Sequence, residues 1–224
     1  MASNASSHTT EGNTCPLCHQ PNSQPFAQLP QGNYWLCKRC HYTYLAPQYW
    51  LTASEEAKHY QLHDNRIDDP HYLKFLSRLS EPLVKRLPAN AKGIDIGCGP
   101  GPALAHSLTQ QGFTCEYYDP LFFPNAGLLN QTYDFVTATE VVEHLRKPAT
   151  TWQQLHRLVK PGGLLAIMTS WRVTQDEFPQ WHYPRDPTHI GFYQPDTFKW
   201  LAEQWGWQIS FPVNNVCIFE RPLL

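Results

Sequence analysis

Between Gly93 and Gly101 the chain reads Gly-Ile-Asp-Ile-Gly-Cys-Gly-Pro-Gly. An apolar run, Ile94 to Ile96, stops at three glycines spaced two apart, Gly97, Gly99 and Gly101. Pro102 then opens a helical pattern through Leu104, Ala105 and Leu108, closed by Gly112. Strand, tight glycine turn, helix is the ligand-binding end of a βα unit, where missing side chains let backbone N–H groups approach a ligand closely.

The acids around the turn select the ligand. A dinucleotide site wants Gly-x-Gly-x-x-Gly with no anion ahead of it, because a pyrophosphate sits there. Here the third glycine comes one residue early and Asp95 lies two residues before the first. A carboxylate at that place repels a pyrophosphate and suits a cation. S-adenosylmethionine (SAM) carries an ammonium and a sulfonium and no phosphate. The following strand pattern, Thr114-Cys-Glu-Tyr-Tyr-Asp119, ends in an acid placed to accept ribose hydroxyls. The stretch resembles motif I of the class I SAM-dependent methyltransferases, and Asp119 resembles their ribose-binding acid. The resemblance implies a Rossmann-like, doubly wound α/β sheet with an antiparallel strand near its C-terminus. SAM would then be held by Asp95, Gly97, Gly99, Gly101 and Asp119.

A chain of 224 residues fits one domain plus a small appendage. A net charge of −2 offers no bulk attraction for nucleic acid or anionic membrane. No apolar run reaches membrane-spanning length, and Met1 to Gly12 lacks a hydrophobic segment, so a cytoplasmic setting is expected. Residues 1–13 read as a polar, disordered leader.

Four of the seven cysteines fall in two knuckles, Cys15-Pro-Leu-Cys18 and Cys37-Lys-Arg-Cys40, with eighteen residues between them. Two such turns present four thiolates to a tetrahedral ion, so residues 14–46 read as a structural zinc ribbon. Iron uses the same spacing, and a cytoplasmic setting disfavours disulfides. His19 and His41 read as bystanders. With few apolar residues evident, the ribbon is expected to draw most of its stability from the metal. Its basic residues, Lys38 and Arg39, are few for phosphate binding. A Cys-Pro-Leu-Cys element ahead of a methyltransferase also resembles the ribosomal-RNA guanine methyltransferases.

Residues 47–90 read as a helical linker or cap and 91–224 as the methyltransferase domain. Ser54 is the expected cap of a first helix, and Asp69 with Pro70 opens a second carrying Leu73, Leu76, Leu79, Leu83, Val84 and Leu87 on one face. Between them Tyr60, His63 and Asn65 form an expected polar loop. By resemblance this segment closes over the cofactor, which makes Tyr60 a candidate contact. Only thirteen residues separate Asp119 from Tyr133, too few for helix, strand and helix. The sheet therefore has six or seven strands, with the third missing or vestigial. Tyr133 to Thr139 reads as a strand, Pro148 to Val159 as a helix, Lys160 to Gly163 as a turn and Leu164 to Thr169 as a buried strand. Pro195 opens a last helix ended by Gly206; Trp207 to Val213 and Asn215 to Glu220 close the sheet.

Two segments can carry chemistry. Glu140, Glu143 and His144 follow the Tyr133 strand, at spacings that put them on one face of a helix start. The stretch from Trp171 to Tyr193 holds Trp181, His182, Tyr183, Arg185, Asp186, His189 and Phe192, a density suited to a substrate lid and otherwise to a satellite apolar cluster. Candidate catalytic residues are Glu140, His144, His182, His189 and Tyr193. Glu140, Glu143, His144 and His189 together resemble the cation-binding set of small-RNA 2′-O-methyltransferases. The Glu-x-x-Glu-His part also resembles the ubiquinone-pathway O-methyltransferases. The resemblance implies a second divalent cation; without one, His144 or His189 would act as general base.

The expected activity is methyl transfer from SAM to a small-molecule acceptor, at oxygen before nitrogen or carbon. An RNA-modifying enzyme using the ribbon for recognition, and an interaction module with a relic pocket, are the alternatives. A hydride-transfer enzyme is the remaining competitor.

Overall fold

The computed structural model describes residues 14–61 and 66–223. The expected leader, His63 and Asn65 lie outside the described residues. The two cysteine knuckles flank a hairpin of β1 (Gln24–Leu29) and β2 (Gly32–Leu36), followed by β3 (Thr43–Leu45). His19 and His41 take left-handed backbone (φ 57° and 58°), and their N–H groups donate to Cys15 and Cys37 carbonyls, both at 2.9 Å. Each thus closes a knuckle turn in a conformation that histidine adopts more readily than most residues.

α1 (Ala53–Tyr60) begins two residues earlier than a Ser54 cap would allow. Thr52 is the cap: its hydroxyl accepts the Glu55 N–H at 3.3 Å, while the Glu55 carboxylate accepts the Thr52 N–H at 2.8 Å. Tyr60 consequently ends this helix and does not stand in a loop. α2 (Pro70–Val84) is capped by Asp69 as expected, and Leu76, Leu79 and Leu83 are buried; Leu87 falls beyond its end.

The glycine-turn unit follows as β4 (Lys92–Ile96), α3 (Ala103–Gln110) and β5 (Thr114–Tyr118). One short 3-10 turn, Ala126–Asn130, spans the gap where a third helix–strand pair would be. Then come β6 (Tyr133–Thr139), α4 (Pro148–Leu158) and β7 (Val159–Met168). Lys160 to Gly163, expected as a free turn, bulges within β7: Tyr133 pairs Val159 while Phe135 pairs Leu164. β8 (Gly191–Phe192), α5 (Pro195–Trp205), β9 (Gln208–Val213) and β10 (Val216–Glu220) complete the chain.

The large sheet has six strands in the order β5-β4-β6-β7-β10-β9. β4, β5, β6 and β7 are parallel neighbours, and β10 is antiparallel to β7 and β9. Successive residues of β7 serve opposite faces, as strand geometry requires. Leu164, Ala166 and Met168 pack with Leu76, Leu79 and Leu83 of α2 and Leu104 of α3. Leu165 and Ile167 pack with Trp152 of α4 and Phe198 of α5. Each such leucine, isoleucine, methionine or phenylalanine contributes roughly 1.5–3 kcal/mol on burial. The fold is therefore the doubly wound α/β architecture expected. Among the described residues no helix is long and apolar enough to cross a membrane.

The ribbon departs from the expectation of an element poor in apolar core. Its sheet runs β1-β2-β3-β8, so the last strand comes from the stretch after β7. Phe26, Tyr34 and Leu45 bury themselves against Phe178, Tyr183, Ile190 and Phe192. Cys15, Cys37, Cys40, Tyr42 and Tyr44 join the core beneath the large sheet. The 171–193 stretch is thus on one side the apolar cluster that was the alternative to a lid.

Candidate active site

A cavity of about 550 Å³ opens beyond the carboxyl ends of β4 and β6. Its floor is the glycine turn. Gly97 and Gly99 take φ of 73° and 66°, and a Cβ on Gly97 would lie 2.5 Å from Val141 Cγ2. Both line the cavity; Gly101 is buried outside it, its carbonyl accepting the Ala103 N–H at 2.8 Å. Asp119 lines it too, 8% exposed. Its Oδ2 accepts the Gly99 N–H at 3.1 Å and its Oδ1 those of Leu121 and Phe122 at 2.8 and 3.1 Å. The acid thereby ties the glycine turn to the loop after β5. Leu121 and Phe122 line the cavity beside it.

Asp95 stands differently. It is 4% exposed, does not reach the cavity wall, and accepts a hydrogen bond from Thr137 Oγ1 at 2.7 Å. Burial, reinforced by Asp119, pushes its carboxyl up to about 7. Its charge would act on a cofactor through the field and not by contact.

The far wall is built by the end of β6. Glu140 has φ 51° and donates its N–H to the Met168 carbonyl at 2.8 Å. Val142–His144 is a single 3-10 turn, so Glu140, Glu143 and His144 do not share the face of an α-helix; the helix starts only at Pro148. Glu140 and His144 line the cavity, whereas Glu143 is 0% exposed. Tyr183 links the acids: its hydroxyl lies 2.9 Å from Glu140 Oε2, against Glu143 Oε1, and 3.1 Å from Thr169 Oγ1. Thr169 also donates to Glu143 Oε2 at 2.9 Å. Burial first, and the Glu143 charge second, raise Glu140 to about 9; burial raises Glu143 too. A phenol has one proton for two carboxyls, so the contacts close when Glu140 keeps its own proton.

His189 Nδ1 contacts the Tyr183 carbonyl at 2.8 Å and His144 Nδ1 that of Thr188 at 3.0 Å. A carbonyl can only accept, so each Nδ1 carries hydrogen, and in the neutral ring the lone pair stands on Nε2. His189, its side chain 11% exposed, is lowered to about 4 by burial and then by His144. The two rings lie 4.8 Å apart. Ligand atoms of Glu143, His144 and His189 fall within 4.8 Å of one another, which gathers three of the four residues expected around a second cation. Imidazole nitrogens oriented by backbone carbonyls are how a protein presents ligands to a borderline divalent metal.

Above these stand Tyr60, its ring 5.6 Å from His144, and Glu56, which accepts the Arg146 guanidinium at 2.7 Å. Tyr72 and Phe75 of α2 complete the apolar side. The structure does not bring His182 or Tyr193 here. His182 is exposed beside Trp181. Tyr193 is fully buried, and its hydroxyl accepts the Trp152 indole N–H at 3.0 Å.

The cysteine cluster is a separate site. Its Sγ atoms lie within 4.8 Å of one another, with Cys15–Cys40 at 3.6 Å and Cys18–Cys37 at 3.5 Å. A zinc ion at about 2.3 Å from four thiolates separates them by about 3.8 Å, whereas a disulfide needs about 2.05 Å. The donor set fits a four-thiolate ion.

Residues 62–210 match the family described as "Methyltransferase domain". The ubiquinone biosynthesis O-methyltransferase of Aeromonas salmonicida is 37% identical over 92 residues, 41% of this chain and 38% of that protein. Its counterpart from Colwellia psychrerythraea is 40% identical over 92 residues, 41% of this chain and 37% of its own. The chain thus spans under two fifths of the curated relatives' length. A SAM dependent methyltransferase from Archaeoglobus fulgidus superposes with a TM-score of 0.50 at 16% identity, covering 66% of this chain and 93% of that one, a likeness of fold alone. The glycine turn, the acid after β5 and the match across residues 62–210 agree: the chain belongs to the methyltransferase-domain family.

Proposed function

We propose that the protein transfers the SAM methyl group to a hydroxyl oxygen of a small aromatic or polyhydroxy acceptor. The observation that carries this is one continuous cavity with Gly97, Gly99 and Asp119 at one end and His144 and His189 at the other. Gly97, Gly99 and Asp119 would hold the nucleoside, with the Asp95 charge drawing the cationic end. Tyr72, Phe75 and Leu145 exclude water from the transfer and present an apolar face to an aromatic ring. His189, neutral and with its lone pair on Nε2, takes the hydroxyl proton as the oxygen attacks the sulfonium methyl in line. The sulfonium is an activated donor, so positioning and desolvation supply most of the remaining rate.

Glu143, His144 and His189 would hold a divalent cation if one is used, with Glu140 beside them. Such an ion lowers the pKa of a bound hydroxyl and orients it. The four cysteines would hold zinc. No lysine or arginine lines the cavity among the described residues, which supports a small neutral acceptor over a phosphodiester chain.

The test is product analysis of purified, metal-replete protein with SAM and a panel of catechols, phenols and polyols. S-adenosylhomocysteine released in proportion to a methyl ether supports the reading. No release above the acceptor-free control overturns it.

A further inference from the structure

Tyr42 lies two residues beyond the last ribbon cysteine and belongs to none of the chemistry above. Its carbonyl accepts the Cys37 N–H at 2.9 Å, so the second knuckle fixes its backbone. It is 1% exposed, with its ring 4.8 Å from that of Tyr193. On β8 it meets Gly191: a Cβ there would lie 1.9 Å from Tyr42 Oη and 2.8 Å from Cζ. Gly191 needs no left-handed backbone. It is glycine because the Tyr42 phenol occupies the side-chain space.

β8 has two residues and pairs with β3 at Thr43–Phe192 and Tyr44–Gly191. Leu45 N–H donates to the Ile190 carbonyl at 2.9 Å, and Ile190 N–H donates to the Glu143 carbonyl at 2.9 Å. His189 is the preceding residue. An unbroken run of backbone hydrogen bonds and one tight contact therefore leads from the cysteine knuckles to the wall of the cavity.

We propose that Tyr42 is a positioning residue for the acceptor half of the site. Through it the cysteine ribbon sets where His189 and the Glu143 turn stand, supporting the site from behind without lining it. The inference takes the naming of the acceptor half from the function proposed above.

The test uses the full-length, metal-replete protein and the variants Gly191→Ala and Tyr42→Leu. Histidine-ring NMR reports the positions of His144 and His189, and calorimetry with S-adenosylhomocysteine reports the glycine-turn end. The expected result is shifted ring resonances, unchanged affinity for that product, and kcat lower by about tenfold to a hundredfold, the range for a misplacement near 1 Å. Unmoved resonances, or product affinity falling in step with kcat, would overturn the proposal. Should Gly191→Ala not fold, Tyr42→Leu, which removes the wedge without adding bulk at β8, gives the same readouts. The NMR and calorimetric arms need no acceptor. A wild-type protein inactive on every acceptor would therefore sink the functional reading and leave the positioning measurement standing.

Discussion

The Thr137 hydroxyl donates to the Asp95 carboxylate across 2.7 Å, joining β6 to β4 beneath the glycine turn. This hydrogen bond opposes the effect of burial on that acid, which still reaches about 7. A cationic cofactor favours the ionised form, so binding should release a proton. SAM affinity should rise with pH towards neutrality, by up to about tenfold per pH unit, and level off above about 7. Asp95→Asn should flatten that profile, as followed by calorimetry in buffers of different ionisation enthalpy. The same carboxyl affects the unliganded fold with the opposite sign. Its native value lies above the unfolded one, so its contribution to stability is complete below about 3.8 and is lost as pH rises through about 7.

Tyr183→Phe removes the hydroxyl that contacts Glu140 and Glu143 and leaves a half-buried and a buried carboxyl short of a partner. The cost should be about 1–3 kcal/mol. At about 2–4 °C per kcal/mol for a chain of this size, calorimetric melting should show the loss directly. An unchanged melting temperature would mean that the carboxyls find each other without the phenol.

Gly97→Ala forces a side chain into left-handed backbone and against Val141. The strain should be about 1–3 kcal/mol, and SAM affinity should fall with it, because the turn that faces the nucleoside must open. Equilibrium dialysis checks the affinity and denaturant melting the strain.

Metal analysis separates the two proposed ion sites. The untreated protein should carry one tightly held zinc per chain, which Cys18→Ser loses. Mild chelation that leaves this zinc in place should abolish activity if Glu143, His144 and His189 hold a cation, and magnesium or manganese should restore it. Activity that survives such chelation leaves His189 as a metal-free base.

The ion pair between Arg146 and Glu56 pins α1 over the mouth of the cavity at 2.7 Å. Exposed pairs of this kind contribute about 0–1 kcal/mol, so Arg146→Ala should leave the melting temperature almost unchanged. It should raise KM for the acceptor more than it lowers kcat, since the helix is held less firmly over the site. Steady-state kinetics decides it.

The glycine turn, the acid after β5, the short third crossover and the cap of α2 could all be read from local spacing, because each is set by neighbours within a few residues. So could the four-cysteine cluster. What escaped had its cause elsewhere in the chain. Tyr193 looked like a site residue by its company, but Trp152 and Tyr42 bury it from the opposite side. His182 sits in an aromatic run whose rings turn towards the ribbon and leave the imidazole outside. The helix foreseen for Glu140 to His144 is interrupted because Glu140 adopts positive φ, a state that composition does not betray. Tyr183 is visible as one aromatic among several; nothing local marks it as the link between two acids 43 and 40 residues upstream.

The pairing of β3 with β8 has a practical consequence for anyone trimming the chain. A cut after residue 46 looks natural, yet it would strip Gly191 and Phe192 of β3, their sheet neighbour, and leave Phe178, Ile190 and Phe192 wet. The shortened chain would carry a raw edge and an oily patch, the combination that drives chains to clump. Residues 14–46 and the stretch after β7 share one sheet and one core, and both are kept when they stay on one chain.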